Sequence, residues 1–261
     1  MPGIDWDYST AKDTGLSFAD RLERCPREPD PFVYAARLIA ALMIRGTLKT
    51  FHKFKIIGRE HLPRGRSFVL VANHASHLDT LALLSALPLR SLHRAYPLAA
   101  RDFFCANKLR LAAAAIVANV MLMERDARGL CVLERCHQML AERGNVLVIY
   151  PEGTRSVDGI IGLFRRGIGF LLAGTPHLVV PCYAAGTFKS WPKGDWIPHP
   201  ARVQLVIGHA RTYESVGKDE TGVLHVCADL RREVLALGAR IEPQKAPQIS
   251  KEPVDDRLTF A

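Results

Sequence analysis

From Phe54 onward the chain alternates short apolar runs with segments of helical period, and this alternation limits the folds open to it. Phe54–Ile57, Phe68–Ala72, His93–Ala100, Val120–Met123, Val146–Tyr150, Leu178–Tyr183 and Val203–Ile207 read as strands. Val146–Tyr150 and Leu178–Tyr183 are apolar throughout rather than on every second residue, and Val203–Ile207 is interrupted only by Gln204, as in strands buried on both faces. Between the runs, Leu78–Leu87, Leu109–Val117 and Thr221–Gly238 read as helices. So does the segment carrying Leu130, Leu133, Cys136, His137 and Leu140, which Gly144 ends. Strands and helices in turn predict an α/β fold, with a largely parallel central sheet flanked by helices. In such sheets ligands sit where strand ends run into loops. A length of 261 residues is ample for the core this needs, and 48% hydrophobic with 23% charged residues excludes a disordered, collagen-like or polytopic membrane chain.

The N-terminal part reads differently. Residues 1–29 have no clear period and read as an irregular arm. Asp30-Pro31 is a helix start, with Asp as N-cap and Pro at the first helical position. The predicted helix continues to about Phe51, as an N-terminal amphipathic segment. Its apolar stretch, Phe32 to Ile44, is broken by Arg37, so it reads as too short and too charged to span a bilayer. Arg37, Arg45, Lys49 and Lys53 form a stripe along one side. Two readings stay open: a helix lying in a membrane interface, with basic groups toward anionic headgroups, or a core-packed helix with a solvated basic edge. Residues 1–53 are thus assigned to the arm and interface helix, 54–238 to the α/β domain, and 239–261, with three prolines, to a loose tail.

A net charge of +9 favours an anionic partner. The six cysteines form no CxxC pair, and no His cluster has zinc-finger spacing, so reduced thiols and no metal are expected. The first thirty residues carry no apolar secretion signal, and the expected location is the cytoplasmic face of a membrane, peripheral or monotopic. No nucleic-acid partner is expected, because charge alone suggests one and no aromatic-interleaved basic patch supports it.

Phosphate-loop, dinucleotide and serine-elbow motifs are absent. Two strand-end segments carry chemistry-bearing residues instead. The first is Asn73-His74-Ala75-Ser76-His77-Leu78-Asp79, after the strand ending in Ala72. Ser76 is a plausible N-cap with Asp79 at its third helical position, so the chain folds back and brings Asp79 within reach of His74. A carboxylate on one ring nitrogen fixes the tautomer and stabilises an imidazolium, as a general base requires. Asp79 also completes a capping box with Ser76, which is a purely structural role. His77 reads as a helix-start residue. The second segment is Tyr150-Pro151-Glu152-Gly153-Thr154-Arg155-Ser156. Pro151 ends the ladder, Gly153 permits a tight turn, and Arg155 offers a planar guanidinium to a phosphate or carboxylate. Phe164-Arg165-Arg166-Gly167 adds cations nearby. On its own this segment is equally an ordinary Pro-Gly turn with a surface arginine.

Together the two segments resemble the glycerolipid acyltransferases. Asn73-His74-x-Ser76-x-x-Asp79 is similar to that family's NHxSxxD block and Pro151–Ser156 to its PEGTRS block. Met121–Arg125, Phe164–Gly167 and Val179–Pro181 resemble three weaker blocks. Two positions depart from the family pattern. Asn119 or Val120 stands where a glycine often opens the arginine block, and Ala100 or Arg101 where a lysine follows the third strand. The resemblance implies an acyltransferase that moves an acyl group from an acyl-thioester, acyl-CoA or acyl carrier protein, to the hydroxyl of a lysophospholipid such as 1-acylglycerol-3-phosphate. It implies His74 and Asp79 as catalytic residues, and Arg125, Glu152, Gly153, Thr154 and Arg155 as substrate-binding ones, with Glu152 bracing its loop. It implies no bound cofactor and an anionic membrane surface as a partner. Amides near Gly153 are expected to face the oxyanion. An acyl-thioester hydrolase and a non-catalytic membrane-surface binding protein are the rival readings.

Overall fold

A computed structural model of the chain describes residues 30–101, 108–123 and 129–242. Helix α1 spans Pro31–Phe51. The strands are β1 Lys55–Ile57, β2 Phe68–Ala72, β3 Ala95–Ala100, β4 Met121–Met123, β5 Val146–Ile149, β6 Leu178–Ala185 and β7 Gln204–Ile207. The remaining helices are α2 His77–Ala86, α3 Lys108–Ala113, α4 Gly129–Ala141, α5 Arg166–Leu172, α6 Thr187–Ser190 and α7 Glu220–Ala239. Among the described residues the strands form one sheet in the order β1-β7-β6-β2-β5-β3-β4. The β6–β7 pair is antiparallel and the other neighbours are parallel. This is the largely parallel α/β architecture that the sequence pattern predicts.

All five residues of β2 are buried, between β5 and β6. Successive side chains point to opposite faces. Val69 and Val71 meet residues of α4, α5 and α7, while Phe68, Leu70 and Ala72 meet Leu83, Leu84 and Leu87. Each large apolar side chain so buried contributes about 1.5–3 kcal/mol. The C-terminal ends of β2 and β5, side by side, carry the two segments singled out by the sequence.

Asp30 starts α1 as expected, its carboxylate accepting from the Phe32 and Val33 N–H groups at 2.9 and 3.2 Å. The basic stripe is corrected. Arg37 is only 2% exposed and donates to the Ile116 and Ala115 carbonyls and to Asn119 Oδ1. Arg45 donates to the Leu87 carbonyl, at the C-terminal end of α2. Helix ends leave carbonyls without intrahelical donors, and guanidinium groups satisfy them. Half of the stripe therefore turns inward, while Lys49 and Lys53 stay exposed. Tyr34 stacks on His93 with ring centroids 3.7 Å apart, and Leu48 is buried against the body. The outward side carries Phe32, Ile39, Leu42, Met43 and Phe51 instead. The expectation that this segment is too short and too charged for a bilayer is corrected too: its 21 residues are long and apolar enough by length and composition. The buried Arg37 is one of the groups that tie it to the body, with Arg45, Tyr34 and Leu48.

Other differences have local causes. Helix α5 carries Gly167 and Gly169 within seven residues, which lowers its helical signal. A Cβ at Gly169 would lie 2.4 Å from the Val223 carbonyl oxygen, so glycine is what lets α5 and α7 approach. Helix α6 has four residues, too few for a period. The run beginning at His93 is a 3-10 turn through Arg94 before β3 starts. The Ala-rich helix becomes a π turn over Ala114–Ala118, closed by Asn119 at φ +54°. That left-handed conformation favours glycine, with asparagine next. Asn119 also donates to the His93 and Ala95 carbonyls while accepting from Arg37, bonds a glycine could not make. The departure from the family pattern at this position thus keeps the turn and adds a seat for α1. The four described cysteines, Cys131, Cys136, Cys182 and Cys227, are free thiols.

Candidate active site

Where β2 ends, the Asn73 side chain continues its pairing with β6. Asn73 Nδ2 donates to the Ala184 carbonyl at 3.1 Å, and the Ala184 N–H donates to Asn73 Oδ1 at 2.8 Å. The main chain is released to turn. Ser76 caps α2, accepting from the Leu78 N–H at 3.0 Å. Asp79 is fully buried, and its Oδ2 accepts from the Ala75 and Ser76 N–H groups, both at 2.7 Å. The same oxygen lies 3.1 Å from His74 Nδ1. The capping role and the orienting role of Asp79 are therefore one arrangement. A carboxylate only accepts, so the proton between them belongs to Nδ1, and Nε2 is left as the basic nitrogen. The His74 side chain is 19% exposed, enough for a reactant to reach it.

The His74 imidazole lies flat on Tyr150, with centroids 4.0 Å apart and planes 17° from parallel. The Tyr150 hydroxyl is bonded to Thr80 Oγ1 at 2.9 Å. Burial, with the Asp79 charge, pushes this phenol well above its ordinary range, so it stays neutral. The sequence places Tyr150 at the end of a strand and at the head of the second segment, with no role assigned to its ring. A residue before proline at a strand end must leave the ladder, and that was the available signal.

The second loop is bonded to the first at both ends. Glu152 Oε1 accepts from the His74 N–H at 2.8 Å, and the Ser156 N–H donates to the His74 carbonyl at 2.8 Å. Glu152 Oε2 accepts from the Gly162 N–H at 2.9 Å. Burial raises this carboxyl to about 7, against the two backbone donors. Both Glu152 carboxylate oxygens are thus engaged by backbone N–H groups. Gly153 has φ +70°, and a Cβ there would sit 2.3 Å from Arg165 Nε. Arg165 Nε itself donates to the Glu152 carbonyl at 3.0 Å. The Gly153 N–H donates to the Tyr150 carbonyl, closing the turn, so that amide is not directed at an oxyanion. Thr154 is exposed and Arg155 partly buried. Burial lowers the Arg155 guanidinium from its ordinary range, and the Asp79 charge opposes this from the neighbouring loop.

The sequence placed Arg165 and Arg166 among the site cations, and the fold employs both structurally. Arg165 braces the Glu152 turn, and Arg166 pairs with Glu220 at 3.0 Å. His77 opens α2, with its ring edge-on to Trp191 at 5.7 Å. Arg125 lies outside the described residues. Among the described residues no group of three or more His, Cys, Asp or Glu side chains is arranged to hold a metal ion. The geometry joins a carboxylate-held, partly exposed imidazole to a loop that carries the exposed Thr154 and the partly buried Arg155. Such a site can take a proton from a hydroxyl beside an anionic group.

The Acyltransferase family model matches residues 53–185, from β1 through both loops to β6. The chain is 33% identical over 205 residues to the chloroplastic 1-acyl-sn-glycerol-3-phosphate acyltransferase BAT2 of Brassica napus, covering 77% of this chain and 56% of that protein. It is 32% identical over 172 residues to the chloroplastic enzyme LPAT1 of Arabidopsis thaliana, covering 65% and 46%. The chain thus spans about half the length of these relatives. In fold it resembles the 1-acyl-sn-glycerophosphate acyltransferase PlsC of Thermotoga maritima, with TM-score 0.56, 22% identity and coverage of 80% and 88%. With 133 of its 261 residues inside the family match, both loops among them, the chain belongs to the acyltransferase family.

Proposed function

We propose that this chain transfers a fatty acyl group from an acyl-thioester to the free hydroxyl of a lysophospholipid of the 1-acylglycerol-3-phosphate type. The donor is acyl-CoA or acyl carrier protein, acting as co-substrate. The observation that carries this reading is the His74–Asp79 contact at 3.1 Å, in a loop hydrogen-bonded on both sides of His74 to the Glu152–Ser156 loop. A hydroxyl is a weak nucleophile at neutral pH and needs a base as it attacks. Nε2 of His74 takes its proton while the oxygen adds to the thioester carbonyl. Asp79 stabilises the resulting imidazolium. The tetrahedral intermediate collapses with cleavage of the C–S bond, and the thiolate leaves and takes up the proton. Arg155 holds the acceptor's phosphate, with Arg125 assigned the same role from its motif. Thr154, exposed beside Arg155, completes the phosphate contacts. The same chemistry requires no metal and no bound cofactor.

Both substrates carry acyl chains, so the site works at a membrane surface, and the protein is read as peripheral or monotopic on the cytoplasmic face. The exposed apolar side of α1 supports this, as does the net charge of +9 toward anionic lipid. The test is thiol release by the purified protein from palmitoyl-CoA, and from palmitoyl acyl carrier protein, with and without 1-acylglycerol-3-phosphate. Release that depends on the acceptor supports the transferase. Equal release without acceptor makes the protein a hydrolase, and no release with any lysolipid leaves only the non-catalytic reading.

A further inference from the structure

We propose that the loop between α6 and β7, carrying Trp196 and Ile197, inserts into the lipid surface beside the active-site mouth. The proposal rests on the membrane setting of the reading above. The loop is built, not merely long. The Ser190 hydroxyl donates to the His199 carbonyl at 2.9 Å, and the His199 N–H donates to the Ser190 carbonyl at 2.7 Å, so its base is closed. Inside it, Trp191 Nε1 donates to the Asp195 carbonyl at 3.0 Å. Pro192, Pro198 and Pro200 stiffen the backbone further. On this fixed base Trp196 is 94% exposed and Ile197 71% exposed. An ordered loop holding an indole and an isoleucine in water forgoes the burial that would stabilise it. Tryptophan is the side chain most at home where water meets lipid.

The position of the loop selects lipid over other occupants. Three segments carrying exposed apolar side chains converge on α6. The C-terminal end of α1 is tied there by His52, whose Nδ1 is bonded to the Ser190 hydroxyl at 3.2 Å, and its neighbour Phe51 is exposed. The loop after Arg155 exposes Val157 and Ile160, and its Gly159 abuts Phe188 of α6. The third segment is the Trp196 loop, rooted at Trp191, which meets His77 of the His74–Asp79 block. Exposed Lys189, Lys193 and Arg202 surround it, suited to anionic headgroups. The one carboxylate of the loop, Asp195, is paired with His199 Nε2 at 3.2 Å. Apolar tips grouped around the mouth of the candidate site, with Lys189, Lys193 and Arg202 at the Trp196 loop and the one carboxylate Asp158 between Val157 and Ile160, suit a bilayer that delivers a lysolipid from the side.

The test compares the full chain with Trp196→Ser and with Lys193→Glu. Binding is read by co-sedimentation with phosphatidylglycerol vesicles and with phosphatidylcholine vesicles. Depth is read by quenching of tryptophan emission with brominated acyl chains. The proposal expects quenching that is lost in Trp196→Ser, and vesicle affinity at least tenfold weaker in that variant. It expects Lys193→Glu to weaken binding to phosphatidylglycerol only. Acyl transfer in detergent micelles should be unchanged by either substitution, whereas transfer on vesicles should fall. Unquenched emission with undiminished vesicle binding in Trp196→Ser overturns the proposal. So does a dimer, seen by sedimentation velocity, that Trp196→Ser dissociates, because the loop would then be covered by a second copy. Binding and quenching are read without turnover, so failure of the transferase reading does not obscure either result.

Discussion

Glu152 joins the two loops, and its replacement by glutamine has a calculable consequence. The carboxyl is buried and its pKa is raised from 4.5 to about 7. At 1.36 kcal/mol per pH unit, that difference amounts to roughly 3 kcal/mol. The sign follows from where the proton is held more tightly. The folded protein binds it better than the unfolded chain, so this contribution to stability is complete below about pH 4.5. It is lost as pH rises through 7, where a buried carboxylate must be carried ionised. Glutamine has the same shape and no charge, so it removes the pH dependence. It also sets an NH2 group against either the His74 or the Gly162 N–H, and an unpaired buried donor costs about 1–3 kcal/mol at every pH. The expected result is a Glu152→Gln protein less stable than the wild type at pH 4.5, with the gap shifting by about 3 kcal/mol in the variant's favour by pH 8. Urea unfolding at intervals across this range measures it. A gap that does not change with pH would refute the assignment of a buried, protonatable brace.

Asp79→Asn keeps the side-chain shape but removes the charge that steadies an imidazolium, worth about 1.5–3 kcal/mol for a charged hydrogen bond. Turnover in the thiol-release assay should fall about 10- to 100-fold with little change in the Michaelis constant for the acceptor. Tyr150→Leu removes the ring beneath His74, whereas Tyr150→Phe keeps the ring and loses only the Thr80 bond. Turnover in the thiol-release assay should fall in the leucine variant and stay near wild type in the phenylalanine one. Arg37→Ala strips donors from two buried carbonyls and from Asn119, and should lower stability by about 3 kcal/mol in urea unfolding.

The sheet was legible because buried parallel strands are apolar on both faces, and Val146–Ile149 can hardly be anything else. The His74–Asp79 contact was legible because a capping residue fixes how the chain turns into a helix. That both chemistry-bearing segments sit at strand ends was legible as well, whereas their convergence rests on β2 pairing with β5. Three features were not legible. The stacking of Tyr150 on His74 depends on β2 lying beside β5, which no local pattern specifies. The inward turn of Arg37 and Arg45 depends on which carbonyls the π turn and α2 leave open, a tertiary fact. Helix α5 was hidden because its two glycines lower local helical propensity, and one of them, Gly169, is what permits the close crossing with α7.

The central claim is that one imidazole, held by Asp79 and facing the Arg155 loop, activates the acceptor hydroxyl. It is tested most directly by His74→Ala in the acceptor-dependent thiol-release assay, with Arg155→Ala measured alongside. His74→Ala should abolish turnover while the fold persists, and Arg155→Ala should mainly raise the Michaelis constant for a phosphorylated lysolipid. Normal turnover by a folded His74→Ala protein would contradict it.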